Sequence, residues 1–254
     1  VYSAHREVGN TKEWCAIKHI SIPKSKAELK GIYMDLGCDD EQAVKERLAG
    51  IRDQLIDEYI QMKQFKGQTN VVSCENVLCK EKENMPGFDI FIRMELLECV
   101  SDRILRGRID REQTIKLGID ICNALTLLRR SNIVHRDVKP QNIFVNQNGD
   151  YKLGDFGTAK SLQGTSAAMS MRGTFAYMSP EAMRGEKTGY ASDIYSLGLV
   201  MYRLLNGNKS PFLLPGQAST VTQDDAANMR RASGEELPPP ANADRELGLI
   251  VLKA

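Results

Sequence analysis

HRDVKPQN, residues 135–142, packs a carboxylate, an amine and an amide into one short loop after a helical stretch. Moving a phosphoryl group to a hydroxyl calls for that set of groups. Asp137 can accept a hydrogen bond from an incoming hydroxyl and orient it, Lys139 can neutralise charge on a terminal phosphate, and Asn142 offers an oxygen to a divalent cation. Eighteen residues beyond Asp137 comes Asp155-Phe156-Gly157, a second carboxylate on a turn where glycine lets the backbone approach phosphates closely. Hard oxygen donors from two loops suit magnesium, which keeps some waters and takes its remaining ligands from phosphates.

Upstream of this loop the pattern is that of a sheet. Val1 to Val8 and Glu13 to Ile20 alternate as strands do, with Gly9-Asn10-Thr11-Lys12 as the turn between them. Ala16-Ile17-Lys18 sets a lysine in the second strand; alone it would be read as a surface charge, and it gains meaning only from its company. From Asp39 to Phe65 the apolar positions Ala43, Leu48, Ile51, Leu55, Tyr59 and Met62 predict one long amphipathic helix. Val71 to Cys79 and Phe88 to Leu97 read as extended, joined by the polar loop KEKENMPG. Downstream the character changes. Residues 111–131 and 192–206 carry helical patterns, with short strands and polar loops between them, and Pro238 to Pro240 interrupts a pattern that resumes as a short helix from Ala243. The fold class expected is α+β.

With 254 residues, 42% hydrophobic and 26% charged, the chain can bury a sizeable core. A formal net charge of +1 gives no electrostatic reason to expect a nucleic-acid or membrane-surface partner. The apolar runs Leu197 to Met201 and Leu247 to Leu252 fall far short of the ~20 residues that cross a bilayer, so no membrane segment is expected in this chain. Residues 1–10 are too polar for a signal peptide. Six cysteines, at 15, 38, 74, 79, 99 and 122, form no CxxC pair and read as reduced thiols, with a Cys74/Cys79 redox pair the weaker alternative.

Several motifs in order now carry a resemblance: AIK with Lys18, the helix carboxylate Glu58, HRDVKPQN, DFG at 155–157, GTFAYMSPE from Gly173 to Glu181, and DIYSLG from Asp193. Together they resemble eukaryotic-like protein kinases, with spacing closest to the bacterial serine/threonine members. The resemblance implies a bilobal fold: an N-terminal lobe over 1–97, an antiparallel sheet with one main helix, and a mainly helical C-terminal lobe over 98–254. It implies ATP and Mg2+ as cosubstrate and metal, and proteins with Ser/Thr acceptors as substrates. Lys18 would hold the α- and β-phosphates and pair with Glu58, ahead of the competing carboxylates Glu46, Asp53 and Asp57. Val1, Ala16 and Phe144 would sandwich the adenine, Met94 would sit behind it, and the backbones of Glu95 and Leu97 would read its edge, leaving those two side chains replaceable. Asn142 and Asp155 would hold the metal, Asp137 and Lys139 would serve the transfer, and Thr174 would steady them. His135 would be a packing residue against Phe156, not an acid or base.

Arg136 would receive a phosphate from the loop between Gly157 and Gly173, with Thr165 and Ser166 the first candidates and Ser170 a lesser one, modified by a second kinase molecule in a transient dimer. The alternative is an unmodified, solvated loop. A cytoplasmic setting is expected, either free or as the cytosolic part of a longer membrane-attached protein. The family pattern has a Gly-rich phosphate loop that would precede Val1, and further helices after Ala254 with an arginine partner for Glu181. The chain therefore reads as a piece of a longer protein. Residues 21–40 read as a surface insertion between Lys18 and the main helix. The rival of another class is a pseudokinase, a nucleotide-binding scaffold without the reaction. The presence of Asp137, Asp155 and Lys18 favours the active enzyme.

Overall fold

The computed structural model describes residues 1–37, 40–155 and 175–254. The chain divides into two compact units, Val1–Leu97 and a second formed by the described residues from Glu98 onward.

In the first unit, β1 (Tyr2–Val8) and β2 (Thr11–Ile22) form the hairpin, followed by α1 (Lys26–Leu36), α2 (Glu41–Lys63), β3 (Cys74–Glu81) and β4 (Phe88–Met94). The four strands make one antiparallel sheet in the order β1-β2-β4-β3. The first turn is tighter than the expected Gly9–Lys12. Val8 pairs with Thr11 and Glu7 with Lys12, so only Gly9 and Asn10 turn the chain, and Gly9 supplies the positive φ of 59°. The long helix is present as α2, opened by Asp40, whose side chain accepts from the Gln42 N–H at 2.9 Å. Its buried stripe is Val44, Leu48, Leu55, Tyr59 and Met62, packed on β3 and β4. Ala43 and Ile51, assigned to that stripe by periodicity, are half-buried at its margin, and Val44 takes the inner place. The stretch expected as an insertion carries α1, capped by Ser25 at its start and by Gly37, with φ 62°, at its end; the helix buries no residue fully and packs on α2. Capping residues stop and start a helix even where apolar periodicity is weak, which is why the pattern missed it.

The second unit begins with β5 (Glu98–Cys99), α3 (Val100–Leu105) and α4 (Arg111–Arg130). A capping box between Asp110 and Gln113 opens α4, and Leu117, Ile121, Ala124, Leu125 and Leu128 form its buried face. A 3-10 turn at Pro140–Asn142 leads into the hairpin β6 (Ile143–Val145) and β7 (Tyr151–Leu153), and β5-β6-β7 form a small antiparallel sheet. That hairpin is tied to α4 by Asp120, whose carboxylate accepts from the Tyr151 N–H at 2.9 Å and from Lys116 at 2.6 Å. The last four helices are α5 (Pro180–Met183), α6 (Tyr190–Leu205), α7 (Val221–Ala232) and α8 (Arg245–Lys253). Tyr202 and Leu205 of α6 pack with Leu247 and Val251 of α8. Gly198 allows this approach: a Cβ there would stand 2.9 Å from the Ala254 Cβ. No helix among the described residues is long and apolar enough to cross a membrane.

Candidate active site

In the loop between α4 and β6, His135 and Arg136 are fixed by partners far along the chain. The Asp193 carboxylate, at the first turn of α6, accepts from two successive backbone N–H groups, His135 at 2.8 Å and Arg136 at 2.7 Å. Asp193 is 2% exposed. Burial pushes its carboxyl above the usual range, while those two N–H bonds pull against that rise. His135, 1% exposed, takes the Asp137 N–H on Nδ1 at 3.3 Å, so Nε2 carries the proton and donates to the Gly154 carbonyl at 3.1 Å. Burial holds its imidazole below the ordinary value and keeps it neutral. Phe156, its expected packing partner, lies outside the described residues. Arg136 bends the chain with φ 66°, a left-handed conformation rare for a residue with a Cβ.

This bend presents Asp137. Its Oδ2 receives Lys139 Nζ at 2.8 Å and Asn142 Nδ2 at 2.9 Å, and the same Nδ2 donates to the Asp137 carbonyl at 2.8 Å. Both contacts fall on one carboxylate oxygen. Because two acceptors claim the amide nitrogen, the Asn142 Oδ1 faces away from Asp137. The Gly154 N–H donates to the Asn142 carbonyl at 2.9 Å, which brings Asp155, with φ 62°, next to Asn142. An amide oxygen and a carboxylate are the hard donor set that magnesium takes, and the site's chemistry fits that metal. On the other side, a small cleft is lined jointly by Arg136, Asp137, Val138, Tyr177, Met178 and Ser179. The Arg136 side chain is exposed and makes no ion pair among the described residues. Glu181 accepts from the Ser192 hydroxyl; burial opposes its ionisation, yet that bond and others hold its carboxyl below the usual value. Arg231 was not singled out in the sequence, because no motif or periodicity marks it. It is buried in α7 and donates to the carbonyls of Phe175 and Met178.

Among the remaining expected residues, Lys18 lies in β2 opposite Ile92 and is half-buried. Glu58 is half-buried on the inner side of α2, whereas Glu46, Asp53 and Asp57 are exposed and Asp53 is held by Arg52 at 2.8 Å. Ala16 is buried, pairing with Met94 across β2 and β4, and Val1 is 81% exposed ahead of β1. Leu97 ends the first unit, half-buried, and Phe144 lies half-buried in β6 of the second. The Glu95 side chain is not a spectator: its carboxylate accepts from the Ser73 N–H at 2.7 Å, and its own N–H donates to the Ser73 carbonyl at 3.2 Å. Replacing it would orphan a backbone donor, which corrects the expectation that it is replaceable. Thr165, Ser166, Ser170 and Thr174 lie outside the described residues.

The protein kinase domain family matches residues 37–250. A probable serine/threonine-protein kinase of Clostridium perfringens is 43% identical over 104 residues, 40% of this chain and 15% of its own. Serine/threonine-protein kinase PknB of Mycolicibacterium smegmatis is 34% identical over 174 residues, 65% of this chain and 27% of its own. PknL of Mycobacterium tuberculosis is 36% identical over 148 residues, covering 56% and 37%. The matched stretches thus span well under half of these relatives' lengths.

Proposed function

The chain belongs to the protein kinase domain family, and from that premise we propose that it is a serine/threonine protein kinase transferring the γ-phosphate of ATP to protein hydroxyls. The observation that carries this reading is the Asp137 carboxylate, with one oxygen held by Lys139 and Asn142 and its backbone turned outward by the strained Arg136. Asp137 Oδ1 then accepts the acceptor hydroxyl's hydrogen bond and aims its oxygen at the γ-phosphate, and Lys139 offsets charge on that phosphate. Asn142 Oδ1 and the Asp155 carboxylate would hold Mg2+, which supplies charge neutralisation at the phosphates when bound. Lys18, paired with Glu58, would hold the α- and β-phosphates; the inward place of Glu58 on α2, unlike its three rivals, supports that choice. Ala16, Met94, Phe144, Val1 and the backbones of Glu95 and Leu97 form the adenine contacts. His135, neutral and buried, is a structural member of the loop.

The exposed guanidinium of Arg136 is suited to a phosphate on Thr165, Ser166 or Ser170, placed there by a second copy of the kinase, with Thr174 kept for steadying Asp137 and Lys139. A cytosolic setting goes with this reading. The presence of Asp137, Asp155 and Lys18 argues for an active enzyme over a nucleotide-binding scaffold. In the full-length protein, Asp137→Asn keeps ATP affinity within about twofold by calorimetric titration and lowers turnover at least ~100-fold. An Asp137→Asn enzyme that phosphorylates a mixed histone preparation at near wild-type rate takes that aspartate out of the reaction.

A further inference from the structure

Arg231 is 2% exposed and is among the largest fully buried side chains of the protein. Its Nη1 donates to the Met178 carbonyl and to the Tyr195 hydroxyl at 3.3 Å; its Nη2 donates to the Phe175 carbonyl at 2.7 Å and reaches Asn228 Oδ1 at 3.5 Å. The guanidinium also stands 5.7 Å from the centroid of the Tyr195 ring. No carboxylate pairs with it among the described residues, and the stretch 156–174 contains neither Asp nor Glu. Burying a cation without a counter-ion is costly, and an apolar side chain would fill the space more cheaply. What an apolar residue cannot do is satisfy two carbonyls three residues apart from one rigid planar fork.

The consequence concerns Phe175–Met178. This run borders the cleft that also holds Asp137. Through Arg231 its carbonyls are referenced to Tyr195 of α6, two residues from Asp193, which fixes the backbone of the Asp137 loop. One helix therefore sets both the residue that orients an acceptor and the segment beside it. We propose that Arg231 is a positioning residue for protein-substrate binding, holding 175–178 in the conformation against which the acceptor chain docks. This rests on the kinase reading above. Arg231 touches neither nucleotide nor acceptor, so its loss acts on acceptor affinity and leaves ATP binding and phosphoryl transfer in place.

The test is steady-state kinetics of the full-length protein with ATP and a mixed histone preparation, comparing wild type, Arg231→Lys and Tyr195→Phe. Lysine keeps the charge and loses the fork. Arg231→Lys is expected to raise the acceptor KM about fivefold or more, with the ATP KM and the kcat at saturating acceptor within about twofold of wild type. Tyr195→Phe, which removes one anchor of the guanidinium and keeps the ring, raises the acceptor KM about twofold to threefold with the same split. A purely structural role would shrink the active fraction, lowering kcat and leaving both KM values alone, and that result overturns the proposal. If Arg231→Lys does not fold, Tyr195→Phe decides, and an unmoved acceptor KM there overturns it. A wild-type protein that transfers no phosphate overturns the kinase reading and this proposal with it, whereas an active wild type with unmoved KM values in both variants overturns the proposal alone.

Discussion

Two segments beside the cleft of the second unit are held by opposite devices. At His135–Arg136 a buried carboxylate, Asp193, accepts from two backbone N–H groups; at Phe175–Met178 a buried guanidinium, Arg231, donates to two backbone C=O groups. In each case irregular backbone has left polar groups without a helix or sheet ladder, and one long-range side chain satisfies a pair of them. The devices differ in cost and in what they control. Asp193 fixes successive residues and forces the bend at Arg136, so it governs how Asp137 is presented. Arg231 ties carbonyls three residues apart and sets the path of a segment alongside. Loss of the first should disturb chemistry and stability together; loss of the second should disturb recognition.

The sharpest way to break this contrast is Asp193→Asn, which turns an amide donor toward one of the two N–H groups. A loss of about 3 kcal/mol in urea unfolding is expected, with kcat falling along with it. A variant that keeps wild-type stability and turnover would show that the carboxylate is not what holds the loop.

Acid offers a gentler probe of the same loop. His135 has a folded value below the 6.5 of a free imidazole, so as pH falls below 6.5 the unfolded chain takes up a proton that the folded chain refuses. Its contribution is therefore whole well above pH 6.5 and declines as pH falls through and below it. The raised carboxyl of Asp193 acts with the opposite sign, losing stability as pH rises from 3.8 toward its folded value. The difference between the unfolding curves of wild type and His135→Phe from about pH 7.5 to 5.5 reports His135 together with its pull on the Asp193 carboxyl. Parallel curves would mean that His135 takes up its proton at the same pH in the folded and the unfolded chain.

The smallest effect expected is at Ser192, the neighbour of Asp193 on α6. Its hydroxyl accepts from the Gly189 N–H at 3.1 Å and donates to Glu181, so it links the start of α6 to α5. Ser192→Ala should cost about 1 kcal/mol by urea unfolding and leave both KM values unmoved. A shift in the acceptor KM of that variant would extend the recognition role from Arg231 to the Glu181 contact.

How far each feature could be read from the sequence follows the same division. HRDVKPQN gave Asp137, Lys139 and Asn142 as a set because their chemistry is concentrated in one short run, whereas DIYSLG marked Asp193 only as part of a motif and its hold on the loop came from the structure. The strands around Lys18, the long α2 and the helices α4 and α6 were legible because period-2 and period-3.6 burial writes itself into composition. The insertion helix α1 and the helix α7 were not. The first buries no residue fully and the second only Ala227 and Arg231, so neither leaves a periodic apolar trace. The choice of Glu58 among four carboxylates on α2 gained support only from its inward face, since charge alone does not say which way a helix is rotated against its sheet.

By itself, then, the sequence determined the α+β class, the order of the main elements and the candidates for phosphoryl chemistry, since local patterns and short motifs are properties of neighbouring residues. Tertiary structure alone decided that one oxygen of Asp137 is claimed by Lys139 and Asn142, that the Glu95 side chain anchors Ser73, and that Arg231 holds the carbonyls of Phe175 and Met178. The last of these contacts joins residues 53 and 56 positions apart. A hydrogen bond over that separation depends on where folding brings a backbone carbonyl, and every residue has a carbonyl, so nothing in the identity of Phe175 or Met178 announces the partner.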